Sequence, residues 1–132
     1  MKNIWRIGDS HTYTMIATPA TSANAHRESL PDVFGTPHLV MAVEEAAAAL
    51  MEPWLEPGEL SAGAQVDLRH TAPTPIGMEI RTVARLLDSD GRKFVFSVNC
   101  FDEVEQIGQA RHVRFVIDQR GFMDRVAKKV PR

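Results

Sequence analysis

The stretch Thr36-Pro37-His38-Leu39-Val40-Met41-Ala42-Val43-Glu44-Glu45-Ala46-Ala47-Ala48-Ala49-Leu50-Met51-Glu52-Pro53 decides how this chain folds. From about His38 to Glu52 its residues are strong helix formers. Thr36-Pro37 reads as the start, with threonine at the cap and proline in the first turn. Pro53 and the pair Pro57-Gly58 supply the stop. Leu39, Val40, Met41, Val43 and the run Ala46 to Met51 make the helix apolar nearly all round, which predicts burial on most of its faces.

Before this helix, His11 to Thr18 is rich in β-branched and aromatic residues and suits a first strand, while Pro19 to Pro31 reads as irregular. After Gly63 the periodicity changes to two. Ala64, Val66, Leu68 and His70 share one face, and Gln65, Asp67, Arg69 and Thr71 the other. Met78 to Leu87 and Lys93 to Phe101 are the next strands, joined at Asp88-Ser89-Asp90-Gly91, where Asp-Gly signals a hairpin. In the last strand, Gly108 to Asp118, Val113, Phe115 and Ile117 alternate with His112, Arg114 and Val116, and the pattern assigns Arg114 to the face away from the core. From Gly121 a short, basic, exposed helix is expected. One apolar helix followed by a meander of strands predicts an α+β architecture, an antiparallel sheet of five or six strands wrapped around one long central helix. Such a sheet leaves an edge strand unprotected, so self-association as a homodimer is expected.

The 132 residues have room for one domain, spanning 1–132. Hydrophobic residues make up 44% and charged residues 24%, with a net charge of −2, a soluble globular composition that makes no electrostatic case for a nucleic-acid partner. The single cysteine, Cys100, cannot form an internal disulfide, and no Cys/His spacing of zinc-site type occurs, so neither metal nor cofactor is implied. A reducing compartment fits. Met1 to Asp9 lacks a signal-peptide run and Ala46 to Met51 is too short to span a bilayer, which points to a cytoplasmic protein without a membrane partner.

Polar residues on apolar faces are the candidates for chemistry. Glu44 is flanked at helical spacing by Val40, Ala47, Ala48 and Met51, so it is either a carboxyl in an apolar stripe, needing partners or a raised pKa, or a solvated group at the helix edge like Glu45. His70 closes the inward series of its strand and is a structural histidine unless paired. Facing Glu44 across a helix-on-sheet interface, it could share a proton and do acid–base work. Thr36 suits a helix cap, or a hydroxyl that orients water or supports an oxyanion near the helix-start amides. Gly63 serves a turn or lets a ligand approach the backbone. Arg114 is a solvated surface arginine or a phosphate contact. Cys100, sharing a face with Phe94, Phe96 and Val98, reads as a small buried thiol rather than a nucleophile.

Val33-Phe34-Gly35-Thr36-Pro37 leading to Val43-Glu44-Glu45-Ala46, then Leu60-Ser61-Ala62-Gly63 and His70-Thr71-Ala72-Pro73-Thr74-Pro75-Ile76-Gly77, resembles the fluoroacetyl-CoA thioesterase group of hotdog proteins. The likeness runs from about Ile7 to Ile117. It implies a hotdog fold, a homodimer with active sites near the subunit interface, and hydrolysis of a short or medium acyl-CoA to free acid and CoA. It further implies a Thr/Glu/His catalytic set at Thr36, Glu44 and His70, a thioester-carbonyl contact at the Gly63 amide, and substrate contacts at Arg114, Phe34 and Leu30. The fluoroacetyl-specific enzymes have two phenylalanines in the lid before the threonine, and the matching positions here are Arg27 and Leu30. The resemblance therefore carries hydrolysis further than it carries the choice of acyl group.

Two other readings use the same scaffold: a hotdog acyl-CoA dehydratase or hydratase working with His and Asp or Glu, and a non-catalytic acyl-CoA binding or sensing module. A third, from Gly8-Asp9-Ser10, resembles the start of a serine-esterase motif. It lacks the preceding buried strand, the chain is short for that fold, and no Asp-x-x-His occurs near the C-terminus.

Overall fold

Helix formers run unbroken from Thr36 to Met51, and in the computed structural model, which describes residues 1–130, they form one helix, α2 (Thr36–Met51). Ahead of it come strand β1 (Ser10–Ile16) and a four-residue helix α1 (Ala23–His26). Behind it follow β2 (Glu59–His70), β3 (Glu79–Ser89), β4 (Lys93–Phe101), β5 (Gln106–Asp118) and a terminal helix α3 (Gln119–Ala127). The five strands form one antiparallel sheet in the order β1-β3-β4-β5-β2. β1 and β2 therefore lie at opposite edges, and α2, which joins them in sequence, crosses the inner face of the sheet between them. A curled antiparallel sheet wrapped around a single helix is the hotdog arrangement. Among the described residues no helix is long and apolar enough to cross a membrane.

Strand periodicity sets the core. Phe94, Phe96, Val98 and Cys100 of β4 are all fully buried on one face, and their partners on β3 include Leu86 opposite Phe96 and Ala84 opposite Val98, also fully buried. Against this surface α2 sets Leu39, Val43, Ala46, Ala47 and Met51. Each large side chain so buried stabilises the fold by about 1.5–3 kcal/mol. The alanines let the helix axis come close to the sheet. Trp54, in the turn that ends the helix, packs on Phe94 with ring centroids 5.8 Å apart.

The opposite face of α2 is open, contrary to the burial expected on most of its sides: Met41 is 62% exposed, and Glu44 and Glu45 are exposed. The sheet can curl around only one side of a helix that it packs against. Element ends also move. β1 stops at Ile16, and Ala17 after it exchanges backbone hydrogen bonds with Gly77 and Met78. The segment from Pro19 to Pro31 is not irregular throughout; it contains a 3₁₀ turn at Pro19–Thr21 and then α1, whose first amides are capped by Ser22 Oγ accepting from Ala25 N at 3.0 Å. β2 begins at Glu59, so Gly63 lies inside it, and α3 begins at Gln119 because Asp118 caps it, Oδ2 accepting from Gly121 N at 2.8 Å.

Two face assignments are reversed. A bulge between Gly63 and Gln65 leaves Ala64 out of register and exposed, so it is not part of the inward series. On β5 the inner face carries His112 and Arg114, not Val113, Phe115 and Ile117: Phe96 stands opposite His112 and Phe94 opposite Arg114, and directly paired residues share a face.

At Gly108 the sheet meets both its neighbouring strand and the helix closely. A Cβ there would lie 2.9 Å from the backbone oxygen of Arg69 and 3.0 Å from Leu39 Cδ2. Gly108→Ala is expected to destabilise the chain by about 1–3 kcal/mol through overpacking, lowering the urea midpoint at constant m-value. An unchanged midpoint would contradict this packing.

Candidate active site

Gly35, not Thr36, is the N-cap of α2, and no side chain caps the helix. Thr36 is the first helical residue, and its hydroxyl is used elsewhere: Oγ1 lies 2.7 Å from His70 Nδ1. The cap reading of Thr36 is thus replaced by a pairing across the helix-on-sheet interface. His70 ends β2 and is half-buried, and its other ring nitrogen, Nε2, is buried with no hydrogen-bond partner. Burial lowers the pKa of this imidazole, and the nearby Ala72 backbone pulls the other way. A neutral ring that accepts the Thr36 O–H at Nδ1 carries its proton on Nε2. The pair opens on a shallow cleft of about 270 Å³ lined by Val33, Phe34, Thr36 and His70.

The second cluster sits farther along the helix. Both Glu44 and Gly63 are exposed, so Glu44 is not sunk in an apolar stripe within one chain. A Cβ on Gly63 would lie 3.2 Å from Arg114 Nη1, 3.3 Å from Glu44 Oε1 and 3.5 Å from His112 Cε1. The absence of a side chain thus keeps open a small space bounded by a guanidinium and a carboxylate that make no direct ion pair with each other. Arg114 is only 7% exposed. Its Nε donates to Ser61 Oγ at 3.1 Å, its Nη2 to the Ser61 carbonyl at 3.0 Å, and Nη1 lies 3.2 Å from His112 Nε2. Arg114 also borders an open cleft of about 450 Å³ between the end of α2 and the start of β2.

Burial lowers the pKa of both Arg114 and His112. For His112 the Arg114 charge adds to the effect, whereas the Gln65 hydrogen bond and Glu44 oppose it. His112 and Ser61 escaped the sequence reading. The signal available was the i, i+2 spacing of His112 and Arg114, which puts both on one strand face.

Thr36 and Glu44 are eight residues apart on one helix, about 12 Å along its axis. One chain therefore brings Thr36 to His70, and Glu44 to Gly63 and Arg114, but not the two pairs to each other. Phe34 is buried and lines the first cleft. Leu30 is 42% exposed and does not line that cleft. Its segment is tied down nearby: His26 of α1 stacks on His38 of α2, with Nε2 to Nε2 at 2.7 Å. Cys100 is fully buried, and burial pushes its thiol up to about 11, which suits an inert core residue.

Comparison with known proteins matches residues 16–120 to the family described as fluoroacetyl-CoA-specific thioesterase. The chain is 35% identical to a fluoroacetyl-CoA thioesterase of Streptantibioticus cattleyicolor, covering 99% of each. Among solved structures, one of a fluoroacetyl-CoA thioesterase superposes with a TM-score of 0.91 at 32% identity, over 96% of this chain and 98% of the other. A threonine-to-serine mutant of this type, in complex with acetyl-CoA, gives 0.88 at 32% identity over 96% and 100%.

Both lowered imidazoles favour the neutral ring in the folded state. The unfolded chain binds their protons first as pH falls, so the stability they hold is present above the ordinary value of 6.5 and is lost progressively below it. Urea midpoints should therefore fall between about pH 7 and pH 5, and His70→Gln should show a smaller fall than the parent chain. An equal fall in both would remove His70 from the account.

Proposed function

The chain belongs to the fluoroacetyl-CoA-specific thioesterase family, a family of acyl-CoA thioester hydrolases, and from that premise we propose that it cleaves a short acyl-CoA to free acid and CoA with Thr36, Glu44 and His70, as a homodimer. The observation that carries the reading is the open space at Gly63 between the Glu44 carboxylate and the Arg114 guanidinium. A thioester carbonyl lodged there meets a nucleophile or base on one side and a positive charge on the other.

In this mechanism the Glu44 carboxylate either attacks the carbonyl carbon or removes a proton from the attacking water. Both routes put negative charge on the carbonyl oxygen, which the Gly63 amide receives as a hydrogen-bond donor with Arg114 alongside. Collapse expels CoA as a thiolate, and where Glu44 itself attacked, water then cleaves the acyl–Glu44 anhydride to free acid and carboxylate. His70, held through Nδ1 by Thr36, steadies that sulfur with a hydrogen bond from Nε2–H, and the proton the sulfur finally takes comes from the water that supplies the acid. The short-acyl preference draws on the two-carbon acyl groups named for the relatives and on the small cleft beside Phe34. Arg27 and Leu30, in the lid position, bear on which acyl group is taken.

A second copy would join the two halves. Residue 40 is the midpoint between Thr36 and Glu44, and the exposed apolar residue beside it is Met41. Two copies of α2 packed antiparallel on a twofold axis near Val40 and Met41 bring Thr36 of one protomer beside Glu44 of the other. The free edge of β2 and exposed Leu60 would be covered on the same side of the molecule.

Glu44→Gln is expected to lower kcat by about 10²- to 10⁴-fold in a thiol-release assay, and near-normal turnover would sink the assignment. Activity should fall from acetyl and fluoroacetyl through butyryl to a long chain, with no hydration of crotonyl-CoA. Binding of acyl-CoA without thiol release would favour the sensing module instead. Co-expressed Glu44→Gln and His70→Ala chains should regain activity, because each mixed dimer then holds one intact site and one doubly damaged site. No recovery would mean that each site is built from one chain.

A further inference from the structure

His112 and Arg114 lie on the inner face of β5, where the neighbouring strand offers only Phe94, Phe96, Val98 and Cys100. A fully buried imidazole in such a place must use both its nitrogens. Nδ1 lies 2.8 Å from the carbonyl oxygen of Gln65, which can only accept, so Nδ1 carries the hydrogen. Nε2 lies 3.2 Å from Arg114 Nη1, which can only donate, so Nε2 offers its lone pair. Both contacts demand the same neutral tautomer. Gln65 is the first residue of β2 after the register shift at Ala64.

The guanidinium is thereby held at three atoms: Nε and Nη2 by Ser61 and Nη1 by His112. Nη1 keeps a second N–H. It is also the atom nearest the open face of Gly63, with Glu44 Oε1 the next nearest.

We propose that His112 is a positioning residue: as the neutral Nδ1–H tautomer it fixes Arg114 so that the remaining Nη1 N–H is presented to the substrate atom between Gly63 and Glu44. The identity of that substrate rests on acyl-CoA hydrolysis as read above, whereas the hold of His112 on Arg114 does not. Protonation of His112 would fill the lone pair and set two cations against each other. The charged groups facing the ring are Arg114 on its own strand and Glu44 on α2, with Glu45 acting on Arg114. Burial and the Arg114 charge both keep the ring neutral.

The test has two arms. In kinetics with acetyl-CoA, His112→Phe should lower kcat/KM roughly ten- to hundredfold, and His112→Gln, which keeps one donor and one acceptor, should recover most of it. In an Arg114→Met background His112→Phe should cost little more, since its effect runs through the missing guanidinium. Independent, additive losses would reduce His112 to a structural residue and overturn the proposal.

The second arm needs no activity. Nitrogen-15 correlation spectra of the unaltered chain should show the His112 ring neutral with its proton on Nδ1 at neutral pH, and the Arg114 Nε–H should exchange faster in His112→Phe than in the parent. An Nε2–H tautomer, an imidazolium, or unchanged exchange would each overturn the proposal. If the parent chain releases no thiol from any acyl-CoA, the functional reading fails, and these spectra still decide the role of His112.

Discussion

Everything in this molecule depends on α2 lying against the inner face of a five-stranded sheet whose edges it connects. Leu39, Val43, Ala46 and Ala47 are fully or almost fully buried in that contact, and β3 and β4 supply the matching apolar surface. A helix held this way has one face committed to the sheet and one left over. Glu44 stands on the rim between the two because the four residues from half-buried Val40 turn the helix about 40° beyond one full rotation. The packing that fixes the fold therefore also fixes where a carboxylate can meet Gly63.

Against that apolar background, Arg114 is the costly residue. Taking a guanidinium out of water is unfavourable by several kcal/mol unless its donors are satisfied. Ser61 satisfies two and His112 a third, all from β2 and β5, the strands at one end of the sheet. A carboxylate in direct contact would neutralise the charge more completely. Glu44 instead stays outside ion-pair distance with the bare backbone of Gly63 between them. An arrangement that forgoes its best internal partner leaves positive potential for something that enters from outside.

Much of the fold is readable in the sequence because helix and strand are written in residue type and apolar period: α2, the Asp-Gly hairpin and all five strands follow from them. The inner face of β5 does not. Val113 is almost fully buried, yet on the outer face, where it pairs with the equally buried Val95. With apolar residues on both faces, a period of two cannot say which face is the core, and Arg114 goes to the wrong side. Thr36 fails differently. Threonine before Pro37 is a good cap by local rules, and only the tertiary approach of His70 takes its hydroxyl away. Glu44 is legible as either a carboxyl in an apolar stripe or a solvated group at the helix edge, and the second holds within one chain, since exposure depends on where the sheet stops curling.

The bulge at Ala64 ties these points together. Gly63 stands opposite Arg114 and Val66 opposite His112, so both face α2 although they are three residues apart. In a regular strand an odd separation would turn one of them outward. The extra residue absorbs the mismatch. Without it, keeping Val66, Leu68 and His70 on the inner face would turn Gly63 to the outside and bring residue 62 or 64 against Glu44 and Arg114. Each carries a Cβ, at a point where 3.2 Å separates Arg114 Nη1 from the Cβ position. The small open space thus needs both a glycine and a one-residue slip beside it. The alternation of Ala64, Val66, Leu68 and His70 conceals this, because it is correct for three of its four members and wrong only where the strand reaches the site.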